Sequence, residues 1–195
     1  MKIYLLEKNS RRAMALKAVF ANEDVEIVNN DFACFIRTHD VECVVSPANA
    51  YGLMDGGYDL AISEWFGDQL QNRVQKYIIE HYYGEQPVGT SFIIDAGKNG
   101  QKLIHTPTMR VPSKILDPSI VYQAMRTTLM VALENDIKSI VIPVFGGLTG
   151  EVNPEDAAKL MWLGYNRIIH PNKTIDWDTV YDIDDQWISL GLTKT

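Results

Sequence analysis

An apolar strand pattern followed by a glycine-rich turn and a helical pattern occurs twice, and this constrains the fold more than any other feature. The first copy runs from VECVVS at 41–46 to a helical pattern over Asp59 to about Tyr83. The second runs from KSIVIPVF at 138–145 to a helix that begins at Pro154. Near-continuous apolar strands that alternate with helices are typical of parallel sheets covered on both faces. We therefore expect an α/β fold, a three-layer α/β/α sandwich around a mixed, largely parallel sheet.

Four shorter segments fit the same architecture. The patterns at 2–6 and 25–29 predict two strands, separated by a helix that follows Ser10. TSFII at 90–94 and KLIHT at 102–106 predict a hairpin, because a turn-rich segment joins them. The hairpin would add an antiparallel strand to the sheet.

The length of 195 residues matches one domain with a substantial core, so we expect residues 1–195 to form a single domain and a monomer. The pattern is weak from about residue 171. It is compatible with an edge strand at TVYDI, 179–183, and with a short final helix.

Charge and cysteine usage exclude several classes of protein. The net charge of −7, without a cluster of Lys or Arg, argues against nucleic-acid and anionic-membrane binding. A short apolar start and no apolar stretch of about 18 residues predict a cytoplasmic protein without membrane spans. Cys34 and Cys43 are expected to be reduced, buried thiols. The histidines lack zinc-site spacing, so we expect no metal.

Both glycine-rich loops are expected at the carboxyl ends of strands, where ligands bind in such sheets. We call residues 47–58 loop one and residues 146–153 loop two. Glycine lets backbone amides approach an anion closely, and the positive end of a following helix adds to the attraction. Neither loop carries the lysine of a P-loop. Each is therefore either a tight turn or a phosphate cradle built from neutral amides.

Three segments make the chain resemble the macro domain family. SPANAYGLMDGGYDLAIS resembles the family's first loop, and SIVIPVFGGLTGEVNPEDAAKLM resembles its second. VGTSFIIDAGKNGQKLIHTPT is similar to the hairpin between them. The likeness runs from about Asp31 to Leu160 in the family's order, and MDGGYDLA with PTMRVP is similar to a bacterial and phage-type subgroup resembling MacroD-type ADP-ribosyl hydrolases.

The resemblance implies an ADP-ribose-binding protein that needs no cofactor. Its ligand would be ADP-ribose or an ADP-ribosylated protein, with the diphosphate held by amides of Gly52–Tyr58 and Gly146–Gly150. The implied activity is hydrolysis of ADP-ribose from modified acidic side chains or from O-acyl-ADP-ribose. Two alternatives remain open, namely a non-catalytic ADP-ribose reader and a phosphatase acting on ADP-ribose phosphate.

Asn49 and Asp59 are the catalytic residues that the resemblance implies. Asn49 would position the distal ribose and Asp59 would orient or activate a water. A helix start stabilises an anion, so Asp59 is expected to be ionised and a weak base. The alternatives are that Asp59 is only an N-cap and that Asn49 is a turn residue.

The residues expected to contact the adenine and to cover the distal ribose are less similar to those of the family. Asp31 would accept from the adenine amino group beside Phe32, although a surface role is an alternative. Ser46, Tyr58 and Thr149 depart from the family's usual residues, and Tyr58 or Phe145 would cover the distal ribose. The ligand-binding residues that the resemblance implies are Asp31, Phe32, Ala48, Gly52, Asp55, Gly56, Gly57, Tyr58, Phe145, Gly146, Gly147, Leu148, Thr149 and Gly150.

Overall fold

A computed structural model describes residues 1–67 and 69–192 of the chain. Residues 68 and 193–195, which belong to the expected single domain, lie outside the described residues. The strands are β1 (Lys2–Leu6), β2 (Val25–Val28), β3 (Cys43–Ser46), β4 (Phe92–Asp95), β5 (Lys102–His105) and β6 (Ser139–Pro143). The helices are α1 (Ser10–Val19), α2 (Phe32–Thr38), α3 (Gly57–Phe66), α4 (Gln69–Tyr82), α5 (Ser119–Glu134), α6 (Pro154–Ile169) and α7 (Trp177–Ser189).

The six strands form one mixed sheet in the order β2-β1-β6-β3-β5-β4. Every neighbouring pair is parallel except β4 and β5, which form the expected antiparallel hairpin. All four residues of β3 are buried, as are the last four of β6, because helices cover the sheet on both faces. The apolar runs at 41–46 and 138–145 therefore predicted the central strands correctly.

Two apolar cores separate the sheet from its two helical layers. Helices α1, α5 and α6 cover one face, where Met125, Leu129 and Met161 are fully buried. Helices α2, α3 and α4 cover the other face around residues such as Phe35 and Ile62. The structure thus confirms the three-layer α/β/α sandwich.

The expected long helix after loop one is wrong, because the chain breaks it at Gly67. Helix α3 ends at Phe66, and Gly67 takes a φ of +91°, which glycine adopts without the strain of a Cβ. Helix α4 then begins at Gln69. The apolar spacing continues across the break, so periodicity alone did not reveal it.

Two smaller expectations are also wrong. TVYDI lies in helix α7 and not in an edge strand, since Asp176 caps this helix and Trp187 packs edge-on against Tyr122 of α5. Cys34 is exposed on α2, whereas Cys43 is buried as expected, and both thiols are free. Among the described residues, none of the helices has the length and apolar character that crossing a membrane requires.

Candidate functional site

A cleft of about 320 Å³ opens at the carboxyl ends of the parallel strands. This volume lies in the range of small-molecule sites, roughly 300–1,000 Å³. Segments that follow β1, β2, β3, β5 and β6 all contribute to its walls. Strand β4 runs in the opposite direction, so its carboxyl end lies at the other edge of the sheet.

The side chain of Asn49 holds loop one in its conformation by hydrogen bonds to the backbone of the same loop. Its Oδ1 accepts from the backbone amides of Tyr51 and Leu53 at 3.1 and 3.3 Å, and its Nδ2 donates to the Leu53 carbonyl at 2.8 Å. These bonds are those of a turn residue, the alternative that the sequence left open. One N–H of the amide has no acceptor among the described residues, and Asn49 lines the cleft. That N–H is available to donate a hydrogen bond to a ligand.

The amino end of α3 lies on the cleft and has no side-chain cap. Its N-cap is Gly56, which has no side chain to accept from the first helical amides. Four other helices begin with an Asn or Asp whose side chain caps those amides, namely Asn9, Asp31, Asn153 and Asp176. The free amides of α3 and its positive helix end therefore face the cleft beside Gly57 and Tyr58.

In loop two, four backbone carbonyls accept hydrogen bonds, whereas the amides of its first five residues donate none within the described part of the chain. The carbonyls of Gly146, Gly147, Leu148 and Gly150 accept bonds from the amides of Val152, Glu151 and Ile115 and from the guanidinium of Arg12. Within the described part of the chain, the amides of residues 146–150 donate to no acceptor. Because these residues line the cleft, loop two places a second group of unpaired amides at its wall, an arrangement that is chemically suited to an anion.

Asp59 lies in the first turn of α3, where it lines the cleft and is half-buried. Burial raises the pKa of this carboxyl group to about 7, although a short hydrogen bond opposes the shift. That bond comes from Ser46, which is fully buried at the end of β3 and donates its hydroxyl to Asp59 Oδ1 at 2.6 Å. The expected ionised, weakly basic Asp59 is therefore wrong, because desolvation outweighs the helix end. Asp59 is also not the N-cap.

Tyr58 lies in the first turn of α3 and packs against α2. Its ring meets the buried Phe32 edge-on, with centroids 5.4 Å apart. Its hydroxyl oxygen is buried and has no hydrogen-bond partner among the described residues. Burial and the nearby charges of Asp59 and Glu7 raise the pKa of Tyr58 well above its usual value, so the hydroxyl stays protonated. A ligand in the cleft can supply the missing partner only if the Tyr58 side chain turns toward it.

Asp31 follows β2, lines the cleft and caps α2. Its Oδ1 caps α2 by accepting from the Cys34 amide at 2.7 Å. This bond is the largest of the effects that lower the pKa of Asp31, and the charge of Lys8 adds to them, so the group is a carboxylate at neutral pH. An ionised carboxylate has lone pairs to spare for a donor on a ligand.

Most of the predicted site residues come together in this cleft, but two do not. Gly52 does not line the cleft. It has a φ of +66°, and a Cβ at this position would lie 2.6 Å from Val74 of α4. Phe145 is fully buried in the core under α5 and α6, so its side chain covers no ligand. The predicted residues that line the cleft are Asp31, Phe32, Ala48, Asn49, Asp55, Gly56, Gly57, Tyr58, Asp59, Gly146, Gly147, Leu148, Thr149 and Gly150.

Sequence reasoning missed the contribution of β1 and β5. Glu7 and Lys8 follow β1, and Thr108, Met109 and Pro112 follow β5; all five line the cleft. The rule that parallel strands present their carboxyl ends at one edge of the sheet would have indicated both segments. Among the described residues, no three His, Cys, Asp or Glu side chains are grouped to hold a metal ion.

Comparison with known proteins identifies the family. The model of the Macro domain matches residues 45–161, which include both loops. A protein of Aquifex aeolicus described as uncharacterized is 31% identical over 85% of this chain and 93% of its own length.

Solved macrodomains share the fold at low sequence identity. The Oceanobacillus iheyensis macrodomain with ADP has a TM-score of 0.60 at 18% identity, over 77% of this chain and 84% of that one. The macrodomain of Mycobacterium tuberculosis DarG has a TM-score of 0.58 at 20% identity, over 67% and 85%. The Trypanosoma brucei macrodomain in complex with ADP-ribose has a TM-score of 0.58 at 15% identity, over 87% and 58%.

Proposed function

Because the chain belongs to the macro domain family, we propose that its cleft binds ADP-ribose and that Asp59 assists hydrolysis of ADP-ribose esters. The substrate would be an ADP-ribosylated acidic side chain of a protein or O-acyl-ADP-ribose. Solved relatives bind ADP and ADP-ribose, and they share this fold. The residues that line the cleft of this chain support the same ligand here.

The two groups of unpaired amides support binding of the diphosphate. One group is the uncapped amino end of α3, and the other is loop two at residues 146–150. Each amide bonded to a phosphate oxygen is a charge-assisted hydrogen bond, worth more than a neutral one. Neutral donors of this kind suit a protein whose net charge of −7 repels polyphosphate at long range.

The remaining parts of ADP-ribose fit the two ends of the cleft. Asp31 offers a carboxylate to the adenine amino group, next to the aromatic pair of Phe32 and Tyr58. Asn49 and Asp59 lie on the loop-one side, where the free N–H of Asn49 would bond a hydroxyl of the distal ribose. The scissile bond of the distal ribose would then lie near Asp59.

Asp59 would act as the base of the reaction. Water forms a bond to the anomeric carbon and gives one proton to the Asp59 carboxylate, while the bond to the substrate carboxylate breaks and that group leaves as an anion. If water attacks the ester carbonyl instead, the proton passes to the departing ribose oxygen. A base titrating near pH 7 combines a useful ionised fraction with proton affinity.

The buried carboxyl group of Asp59 on the cleft wall is the one observation that carries the proposal of hydrolysis. The test is release of ADP-ribose from a protein modified on acidic residues, measured by chromatography with wild type and Asp59→Asn. We expect Asp59→Asn to lower the rate of ADP-ribose release on the order of 100-fold or more and to keep most of the affinity for ADP-ribose. Asp95→Asn, at the opposite edge of the sheet, should release ADP-ribose like wild type. Equal release by wild type and Asp59→Asn would remove the catalytic role.

A non-catalytic reader is the second candidate, and the bonding of Asn49 favours it. Three of the hydrogen-bonding positions of this side chain hold loop one together, so only one N–H remains for the ribose. A reader would bind ADP-ribose in calorimetry and show no release above the Asp59→Asn background. An enzyme would bind ADP-ribose and also release it from the modified protein faster than Asp59→Asn does.

A further inference from the structure

We propose that Arg12 is a positioning residue that turns the amides of loop two toward the phosphates of the ligand. This inference rests on the proposed binding of ADP-ribose. Arg12 belongs to α1 and lies far along the sequence from loop two, and no motif of the sequence connects them. Its Nη1 donates to the carbonyl oxygen of Gly147 at 2.8 Å.

The bond to Gly147 fixes the direction of one peptide group. In a planar trans peptide the carbonyl and the following amide hydrogen point in opposite directions. Since Arg12 holds the Gly147 carbonyl, the Leu148 amide hydrogen points away from α1. Gly147 and Leu148 line the cleft, whereas Arg12 is not among the lining residues, and on this basis we assign the hydrogen to the ligand side.

Glu7 holds Arg12 in the orientation that this bond requires. Its two carboxylate oxygens accept from Arg12 Nε at 2.9 Å and from Arg12 Nη2 at 3.1 Å. The Asn9 amide also donates to Glu7, at 2.7 Å. The side chains of Arg12 and Glu7 are 14% and 8% exposed, so water screens the pair little. A forked, two-point ion pair fixes the guanidinium plane, which a lysine ammonium would not do.

The absence of a side chain at position 147 is part of the same arrangement. A Cβ on Gly147 would lie 3.0 Å from Arg12 Cδ and 3.2 Å from Arg12 Nε. Both distances are shorter than ordinary van der Waals contact, so Arg12 would have to give way. Val144 would be crowded as well, at 3.2 Å, so a side chain at position 147 would displace the Arg12 side chain from its present position.

The contrast with Arg11 supplies a matched control. Arg11 also pairs with a carboxylate, Glu155 on α6, at 3.2 Å. However, its side chain is 70% exposed and it contacts no residue of loop two by any hydrogen bond in the described part of the chain. Arg11→Gln thus removes an arginine ion pair one position away without touching the amides of loop two.

The experiment is calorimetry of ADP-ribose with wild type, Arg12→Lys, Arg12→Gln and Arg11→Gln, together with an NMR titration of adenosine. We expect both Arg12 variants to weaken ADP-ribose binding on the order of 10- to 100-fold, the equivalent of about one charge-assisted hydrogen bond. Adenosine has no phosphate, so its affinity should not change. Arg11→Gln should bind both ligands like wild type.

The outcomes distinguish this inference from the function on which it rests. If wild type does not bind ADP-ribose, the proposed function fails and this inference fails with it. If wild type binds but Arg12→Lys binds equally well, only the role of Arg12 is overturned. An equal loss of affinity for ADP-ribose and for adenosine would mean that Arg12 has a general structural role, which also overturns the inference. Arg12→Gln leaves Glu7 without its charge partner and can fail to fold, so Arg12→Lys, which keeps the charge, decides the test.

Discussion

Replacing Asp59 by Asn should make the protein more stable at pH 8 and leave its stability at pH 4 almost unchanged. Asn keeps the shape of the side chain and an oxygen that accepts from Ser46, but it has no charge to bury. In the wild type, burial raises the pKa of Asp59 from the usual 3.8 to about 7. The folded protein must therefore either hold a proton on this carboxyl group or bear a charge that is poorly solvated.

The sign and size of the effect follow from this shift. At a pH well below 3.8 the carboxyl group is neutral in the folded and the unfolded chain, so it costs nothing, and at pH 4 the cost is still small. Between about pH 4 and 7 only the unfolded chain ionises, and stability is progressively lost as pH rises. The shift from 3.8 to about 7, at about 1.4 kcal/mol for each pH unit, gives roughly 4 kcal/mol above pH 7.

Urea unfolding of wild type and Asp59→Asn at pH 4, 6 and 8 measures this difference directly. The advantage of Asp59→Asn in the free energy of unfolding should grow with pH by roughly 4 kcal/mol, while other titrating groups cancel. Asp95→Asn is an opposite-sign control, because a bond from the Gly97 amide lowers the pKa of Asp95. That variant should lose stability at pH 8. An Asp59→Asn advantage that does not change with pH would refute the buried, proton-holding Asp59.

Three further predictions concern the same cleft. The rate of ADP-ribose release in single turnover should rise with pH through about 7, because Asp59 must lose its proton to act as a base; a flat rate from pH 5.5 to 8.5 would contradict this. Tyr58→Phe should weaken ADP-ribose binding on the order of 5- to 10-fold in calorimetry if the buried hydroxyl bonds the ligand, and unchanged affinity would exclude that bond. Phe145→Ala should lower the free energy of unfolding by about 3–5 kcal/mol in urea but leave affinity intact, whereas a selective loss of affinity would return Phe145 to the cleft.

The architecture was predictable from the sequence because its strands are marked by uninterrupted apolar runs. VECVVS and KSIVIPVF are buried on both faces, and such runs have few interpretations other than central strands. The break at Gly67 was not predictable from periodicity, since the apolar stripe continues through it. The sequence left a strand and a short helix open for the C-terminal segment, because none of the residues of α7 is buried and no fully apolar run marks the element.

The position of the site was predictable, but the roles of its residues depend on distant partners. Glycine marked both loops, yet only the fold shows that Gly52 packs against α4 while Gly56 faces the cleft. The environment of Asp59 depends on burial beneath the loops and on Ser46, thirteen positions earlier. The orientation of loop two depends on Arg12, 135 positions before Gly147. Such pairings are properties of the tertiary structure, and no local pattern encodes them.

An NMR titration of the labelled protein with ADP-ribose tests the central claim most directly, namely that unpaired amides of two loops hold the diphosphate. The amide resonances of Gly56–Tyr58 and of Gly147–Gly150 should shift most on binding, since these groups gain acceptors that they lack in the free protein. Amides of α7, which lies outside the cleft, should stay in place. Failure to bind ADP-ribose, or binding that leaves the amides of loop two unshifted, would contradict the account.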